Sequence, residues 1–301
     1  MVACLLLVAV LQFVAPQASP SPNLSHAPAE RDSFEAVLTR EPANSAAQEG
    51  EVQVSERLAL EARSAKDLNG ALEALLRARK FAPDNARLLY DLGVLEEEIG
   101  LYHDADTTVA HLRTLAPAES KVRYLAARIE LDLGRLAEAE QDMRGYLQAH
   151  PDDATAHYGM GRILQQAQQS PAAKAEFDKA IALMPVQTES YYQRAQLALE
   201  AGEYQRAIYD NAQVLARNPH HGGALTGTGT AYFRLKEYEK AEQPLARAVA
   251  DAPEYQPGHY FYGLVLARLG KKEQSDRELG IAAKLADEQN RREAQRLGLN
   301  P

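Results

Sequence analysis

Residues 222–253 read GGALTGTGTAYFRLKEYEKAEQPLARAVADAP, and the spacing within this stretch decides the fold. Gly229 is followed twelve residues later by Ala241, and Ala241 twelve residues later by Pro253. The same three residue types recur along the chain in steps of 34: prolines at Pro83, Pro117, Pro151, Pro185, Pro219 and Pro253, and alanines at Ala71, Ala105, Ala139, Ala173, Ala207 and Ala241. A third column of small residues reads Gly93, Ala127, Gly161, Ala195, Gly229 and Gly263. Proline is about one residue in twenty here, so five further hits from one start have a chance of roughly 0.05 to the fifth power, and composition does not explain the column. Between the small and the alanine columns lie turns such as Gly134-Arg135, Gly202-Glu203-Tyr204 and Gly270-Lys271-Lys272. Each period therefore reads as a helix, a turn and a second helix that proline stops by its ring and missing N–H. The expected class is all-α.

The columns have a packing rationale. A Gly or Ala on one helix and an Ala on the other let two antiparallel backbones approach, while Leu89, Leu92, Phe177, Leu245 and Leu279 fill the remaining volume. A lone hairpin of this kind leaves apolar surface open, so each unit must stack on the next. The run Leu225, Gly229, Tyr232, Tyr238, Ala241, Leu245, Ala248 and Pro253, with Ala173, Phe177, Ala180 and Pro185 in an earlier unit, resembles the tetratricopeptide repeat family over about residues 30–287. The resemblance implies a right-handed superhelical solenoid of antiparallel helix pairs, about seven 34-residue repeats plus end caps, with a concave groove lined by the first helix of each unit.

Departures from the period mark the ends. Phe34, Val37 and Pro42 match the second half of a unit, and Pro42 to Pro83 is 41 residues, seven more than one period. Seven residues are about two helical turns, so the helix beginning near Asn44 is expected to be two turns longer than its counterparts. Residues 30–42 are read as an N-terminal cap helix, 43–287 as repeats and 288–301 as a C-terminal cap. The last unit carries Ser275 in the alanine column and Asp287 in the proline column, so its second helix is expected to run on or to break only briefly.

The formal charge of -9, from 33 Lys plus Arg against 42 Asp plus Glu, argues against nucleic acid as a partner. The one cysteine, Cys4, lies outside the repeats, so disulfide frameworks and cysteine-based zinc sites in the folded body are excluded. Residues 1–29 hold no Lys, Arg, Asp or Glu, and Val2 to Ala15 is apolar apart from Gln12. That run is shorter than the roughly 20 apolar residues of a membrane span. It is read as a signal peptide, residues 1–29, with a small-residue cleavage pattern at Ala27-Pro28-Ala29. The expected location is periplasmic or secreted, with no stable membrane span after signal removal. The alternative is an N-terminally membrane-associated chain.

No HExxH, GxSxG, Walker or EF-hand pattern occurs, and an enzyme, a metal and a cofactor are not expected. His157 and His259 occupy a large-residue slot where packing is the expected role. His220-His221 reads as an exposed polar turn. Gly222 to Thr230 superficially suggests a phosphate-cradling loop, but it lacks the Lys-Ser/Thr ending and falls in register with a repeat helix.

The groove is where function is expected. One face of the first helices carries Tyr90, Tyr124, Tyr158, Tyr192, Thr226 and Tyr260, and one turn later come Val94, Arg128, Arg162, Gln196, Thr230 and Leu264. Tyr124 with Arg128 and Tyr158 with Arg162 suit a carboxylate or an acidic peptide. The competing partners for these arginines are Asp132 and Glu130. Chaperone-binding relatives clamp a C-terminal carboxylate with Lys and Asn, a set this face does not offer. At Thr226, flanked by Gly223, Gly227 and Thr230, the tyrosine is missing, and a concavity walled by Tyr192, Tyr260, Phe233 and Arg234 is expected, read either as a selected pocket or as drift in one repeat. Filling it with Thr226→Tyr plus Gly227→Ala should then preserve stability while weakening binding. The function read from the chain is a non-enzymatic protein–protein interaction scaffold or adaptor that binds a polypeptide in the groove. The alternative is a small-molecule or glycan binding subunit assisting an envelope enzyme or assembly machine.

Overall fold

A computed structural model describes residues 27–296, so the signal-peptide reading falls on residues outside those described except for Ala27 to Ala29, which begin the first helix. The described residues contain fifteen helices and no strand. They are α1 (Ala27–Arg40), α2 (Ser45–Ser64), α3 (Leu68–Phe81), α4 (Ala86–Glu98), α5 (Tyr102–Leu115), α6 (Ser120–Asp132), α7 (Leu136–Ala149) and α8 (Ala154–Gln166). Then follow α9 (Ser170–Leu183), α10 (Thr188–Glu200), α11 (Tyr204–Arg217), α12 (Gly222–Arg234), α13 (Tyr238–Asp251), α14 (Gln256–Arg268) and α15 (Lys272–Arg296). The chain divides into two compact units, one up to Pro117 and one from Ala118 onward.

The proline column acts one residue earlier than the ring itself. A residue before proline is pushed out of the helical region, and Ala82, Ala116, His150, Met184, Asn218 and Ala252 all take φ between -125° and -138° as the C-caps of second helices. With Asp287 in that column the block is lifted, and α15 continues unbroken to Arg296. The turns inside the hairpins share one left-handed residue per period. Gly100, Gly134, Gly202 and Gly270 occupy it at φ 75° to 80°, and Lys66, Gln168 and Lys236 at 58° to 62°.

Small and large residues compensate across each hairpin. A Cβ on Gly161 would lie 2.5 Å from the Phe177 ring, one on Gly263 would lie 2.7 Å from Leu279, and one on Gly229 would strike Leu245. The alanine column is fully buried throughout, and Ser275 in its last slot donates its hydroxyl to the Gly263 carbonyl at 2.8 Å. In the first unit α2 has 20 residues against 13 for α4, and its N-cap is Asn44, whose side chain accepts the Ala47 amide. The added turns are covered by α1: Phe34 lies against Gly50, and Ala47 and Glu51 are buried.

Candidate functional site

In the unit from Ala118 onward each first helix packs on its own second helix. It also touches the next first helix, α6 to α8, α8 to α10, α10 to α12 and α12 to α14. No matching row of contacts joins the second helices among the described residues. The first helices therefore lie closer together and line the inner side of the row, the surface on which the sequence placed a groove.

Tyr124, Tyr158 and Tyr192 stand half-buried along this row, Arg128, Arg162, Thr230 and Phe233 are also half-buried, and Arg234 and Tyr260 are exposed. The guanidinium of Arg128 lies 5.9 Å from the Tyr124 ring centre, and Tyr124 in turn packs on Tyr146 at 4.9 Å. Asp132 is coupled to both arginines. It keeps an exposed edge, yet burial of its inner side raises its carboxyl above the usual range against the pull of Arg162 and then Arg128.

The expected gap at Thr226 is filled. Thr226 is 4 % exposed and Gly227 is buried, so neither lines an open surface. A Cβ on Gly223 would strike the Tyr192 hydroxyl, and one on Gly227 would lie 2.7 Å from Nδ2 of Asn211. The small residues make room for side chains of the same protein, which corrects both the concavity and the expectation that Gly227→Ala is harmless. Burial, followed by the neighbouring Tyr255, keeps the Tyr192 hydroxyl well above the ordinary tyrosine range. Gly222 to Thr230 form the first turns of α12 and no loop. Two shallow grooves flank α1 in the first unit, one over Leu72, Leu76 and Phe81 and one over Phe34, Val54 and Leu60; neither includes a residue of the predicted site.

The histidines in the large-residue slot are fasteners. His157 Nδ1 lies 2.6 Å from Glu176 and its Nε2 lies 2.8 Å from the Pro151 carbonyl; His259 repeats this with Glu278 at 2.6 Å and Pro253 at 3.0 Å. A carbonyl only accepts, so each Nε2 donates. Burial on its own would raise the Glu176 carboxyl, but hydrogen bonds from Lys179 and His157 overcome it and hold the group below the usual range. The carboxylate partners escaped the sequence reading, although a His followed 19 residues later by Glu in two units was the available signal.

One further unit carries a polar interior that periodicity did not reveal. Arg194, 6 % exposed in its side chain, donates to Asp210 at 2.8 and 2.7 Å in a bidentate pair, and to Asp178 at 2.5 Å, tying α9, α10 and α11 together. Removing one member of such a buried pair typically costs about 3–5 kcal/mol, because the other charge is stranded.

A stack of helix hairpins whose inner face carries aromatic and cationic side chains, with His157, His259 and Arg194 tied into interior fasteners, defines a helical-repeat interaction protein. Tetratricopeptide repeat models match residues 100–154, 124–188 and 158–213 in one case and 198–269 in another, together more than half of the chain, and the chain belongs to the tetratricopeptide repeat family. It is similar to Protein FlbA of Caulobacter vibrioides, 26% identical over 210 residues that make up 67% of this chain and 35% of that protein. The chain spans less than half the length of the curated relatives it matches. Among solved structures it resembles PilW, a widely conserved type IV pilus biogenesis factor, at a TM-score of 0.62 and 17% identity over 68% of this chain and 96% of that one. It also resembles YrrB, a tetratricopeptide repeat protein with an unusual peptide-binding site, at 0.51 and 21% over 62% and 97%. At these identities the structural likeness establishes the fold. No helix among the described residues is long and apolar enough to cross a membrane.

Proposed function

We propose that this chain is a non-enzymatic scaffold that holds an extended polypeptide segment along the inner row of α6, α8, α10, α12 and α14. The observation that carries the reading is the alignment of half-buried Tyr124, Tyr158 and Tyr192 at one helical position, with Arg128 and Arg162 one turn later. Aromatic faces and guanidinium forks are the groups that hold peptide side chains and carboxylates at low entropic cost. Thr230, Phe233, Arg234 and Tyr260 continue the surface toward the C-terminal units; Thr226 and Gly227 are left out because they are buried. The reading of residues 1–29 as an export signal places the scaffold in the bacterial envelope, as part of the same proposal.

The test is site-specific photo-crosslinking in the exporting host, with the probe at Arg162 or Thr230 on the inner row and at exposed Tyr209 on α11 as the outer control. A defined partner captured from the inner positions, absent from the control and weakened at least tenfold by Tyr158→Ala, about 1.4 kcal/mol, supports the reading. Equal capture from both faces overturns it.

A further inference from the structure

The start of α12 is capped in a way that α2, α3, α4 and α8 are not. Helices α2, α3, α4 and α8 begin with Asn44, Asp67, Asn85 and Asp153, whose side-chain oxygens accept backbone amides of the first turn. At α12 the acceptor is an imidazole: the Ala224 amide donates to Nδ1 of His221 at 3.0 Å. A histidine accepts there only while Nδ1 is unprotonated. Once protonated the ring has no lone pair to offer, and it places a positive charge at the positive end of the helix dipole.

The surroundings give the ring little to compensate that loss. From α10, Tyr192 packs on it with ring centres 4.7 Å apart at 50°, and Glu189 contributes a charge that favours the protonated ring. The Tyr192 hydroxyl, which Tyr255 neighbours from just before α14, fills the space beside Gly223. The neighbouring His220 points elsewhere, to Asp251 of α13 at 3.0 Å. The cap, Tyr192 and Gly223 thus form one packed corner.

We propose that His221 is a pH-operated latch: protonating its ring undoes the cap, loosens the first turn of α12 and frees the corner that Tyr192 and Gly223 make at the edge of the inner row. Burial lowers the His221 imidazole below its ordinary 6.5, outweighing a backbone hydrogen bond and Glu189, which raise it. A group lowered in the folded state contributes stability that is whole above the unfolded value and is lost as pH falls through the folded one. The latch therefore opens on acidification from about pH 6.5 downward. Its effect on a bound peptide rests on the reading of the inner row given above; the latch itself does not.

The test is NMR on the whole chain without a ligand. At pH 8 the His221 ring nitrogens should show the Nε2–H tautomer, and exchange protection of the Ala224 amide, corrected for intrinsic rate, should fall about fivefold to tenfold between pH 7.5 and 5. In His221→Asn, which offers an amide oxygen at every pH, protection should persist across the range, and in His221→Ala it should be absent throughout. The latch is overturned by an Nδ1–H tautomer at pH 8, by pH-independent protection in the native chain, by the same loss in His221→Asn, or by equal loss at Leu197 and Val265, which signals global unfolding. A latch that titrates while inner-row crosslinking fails would remove the peptide reading alone.

Discussion

Replacing Asn211 by Met tests the account of packing given for this repeat row. Asn211 is fully buried and neither atom of its amide has a hydrogen-bond partner. It occupies the slot that holds Met143, Phe177, Leu245 and Leu279 in other units. Its setting matches that of Met143 in particular: Ala195, Leu199 and Gly227 stand two periods after Ala127, Leu131 and Gly159. A Cβ on Gly159 would lie 2.9 Å from Cε of Met143, just as one on Gly227 would lie 2.7 Å from Nδ2 of Asn211. The methionine shape is therefore already accommodated by the same neighbours. An unsatisfied buried polar group costs about 1–3 kcal/mol, so Asn211→Met should raise stability by roughly 2 kcal/mol. Because each repeat touches chiefly its neighbours, the gain should concentrate in hydrogen-exchange protection of α10, α11 and α12, with the urea midpoint rising and its slope unchanged. Gly227→Ala in the native background should move the other way by about 1–3 kcal/mol, because the added methyl meets the Asn211 amide. A destabilised Asn211→Met, or one whose changes spread evenly along the chain, would refute the reasoning.

Two further outcomes are expected. Lys236 sits at φ 62° in a column where four of seven residues are Gly, with open space around the equivalent Gly100, Gly134 and Gly270. Left-handed backbone costs a non-glycine residue about 1–2 kcal/mol, offset by the roughly 0.5–1 kcal/mol greater unfolded freedom of Gly, so Lys236→Gly and Gln168→Gly should each stabilise by about 0.5–1 kcal/mol in thermal or urea unfolding, and a loss would contradict the turn geometry. In the first unit burial pushes the Glu56 carboxyl up to about 7 against the pull of the exposed Arg87, with Asp91 and Glu49 raising it further. A carboxyl raised in the folded state contributes stability that is whole below its unfolded value near 4.5 and is lost as pH rises through 7, on the order of 3 kcal/mol at 1.36 per unit. Glu56→Gln should therefore gain on the native chain between pH 4.5 and 7, read as the difference in unfolding free energy; a difference that stays flat with pH would show that Arg87 holds the charge after all.

The sequence by itself determined the period, the helix-turn-helix unit and the two-turn extension of α2. Those features rest on steric demands that single residue types announce: proline forbids continuation, Gly and Ala mark where backbones meet, and seven extra residues before Pro83 lengthen α2 by two turns. It also placed Tyr124, Arg128, Tyr158 and Arg162 on one row. The interior partners were decided by tertiary structure. Whether Gly227 opens a pocket or admits Asn211, whether His221 is an exposed turn or the cap of α12, and which carboxylate meets Arg194 all depend on side chains converging from different helices. A helical period tells which way a residue faces. It does not tell what a side chain of the next helix will reach across to fill, and burial makes that choice, since a polar group taken out of water must find its partner wherever packing brings one.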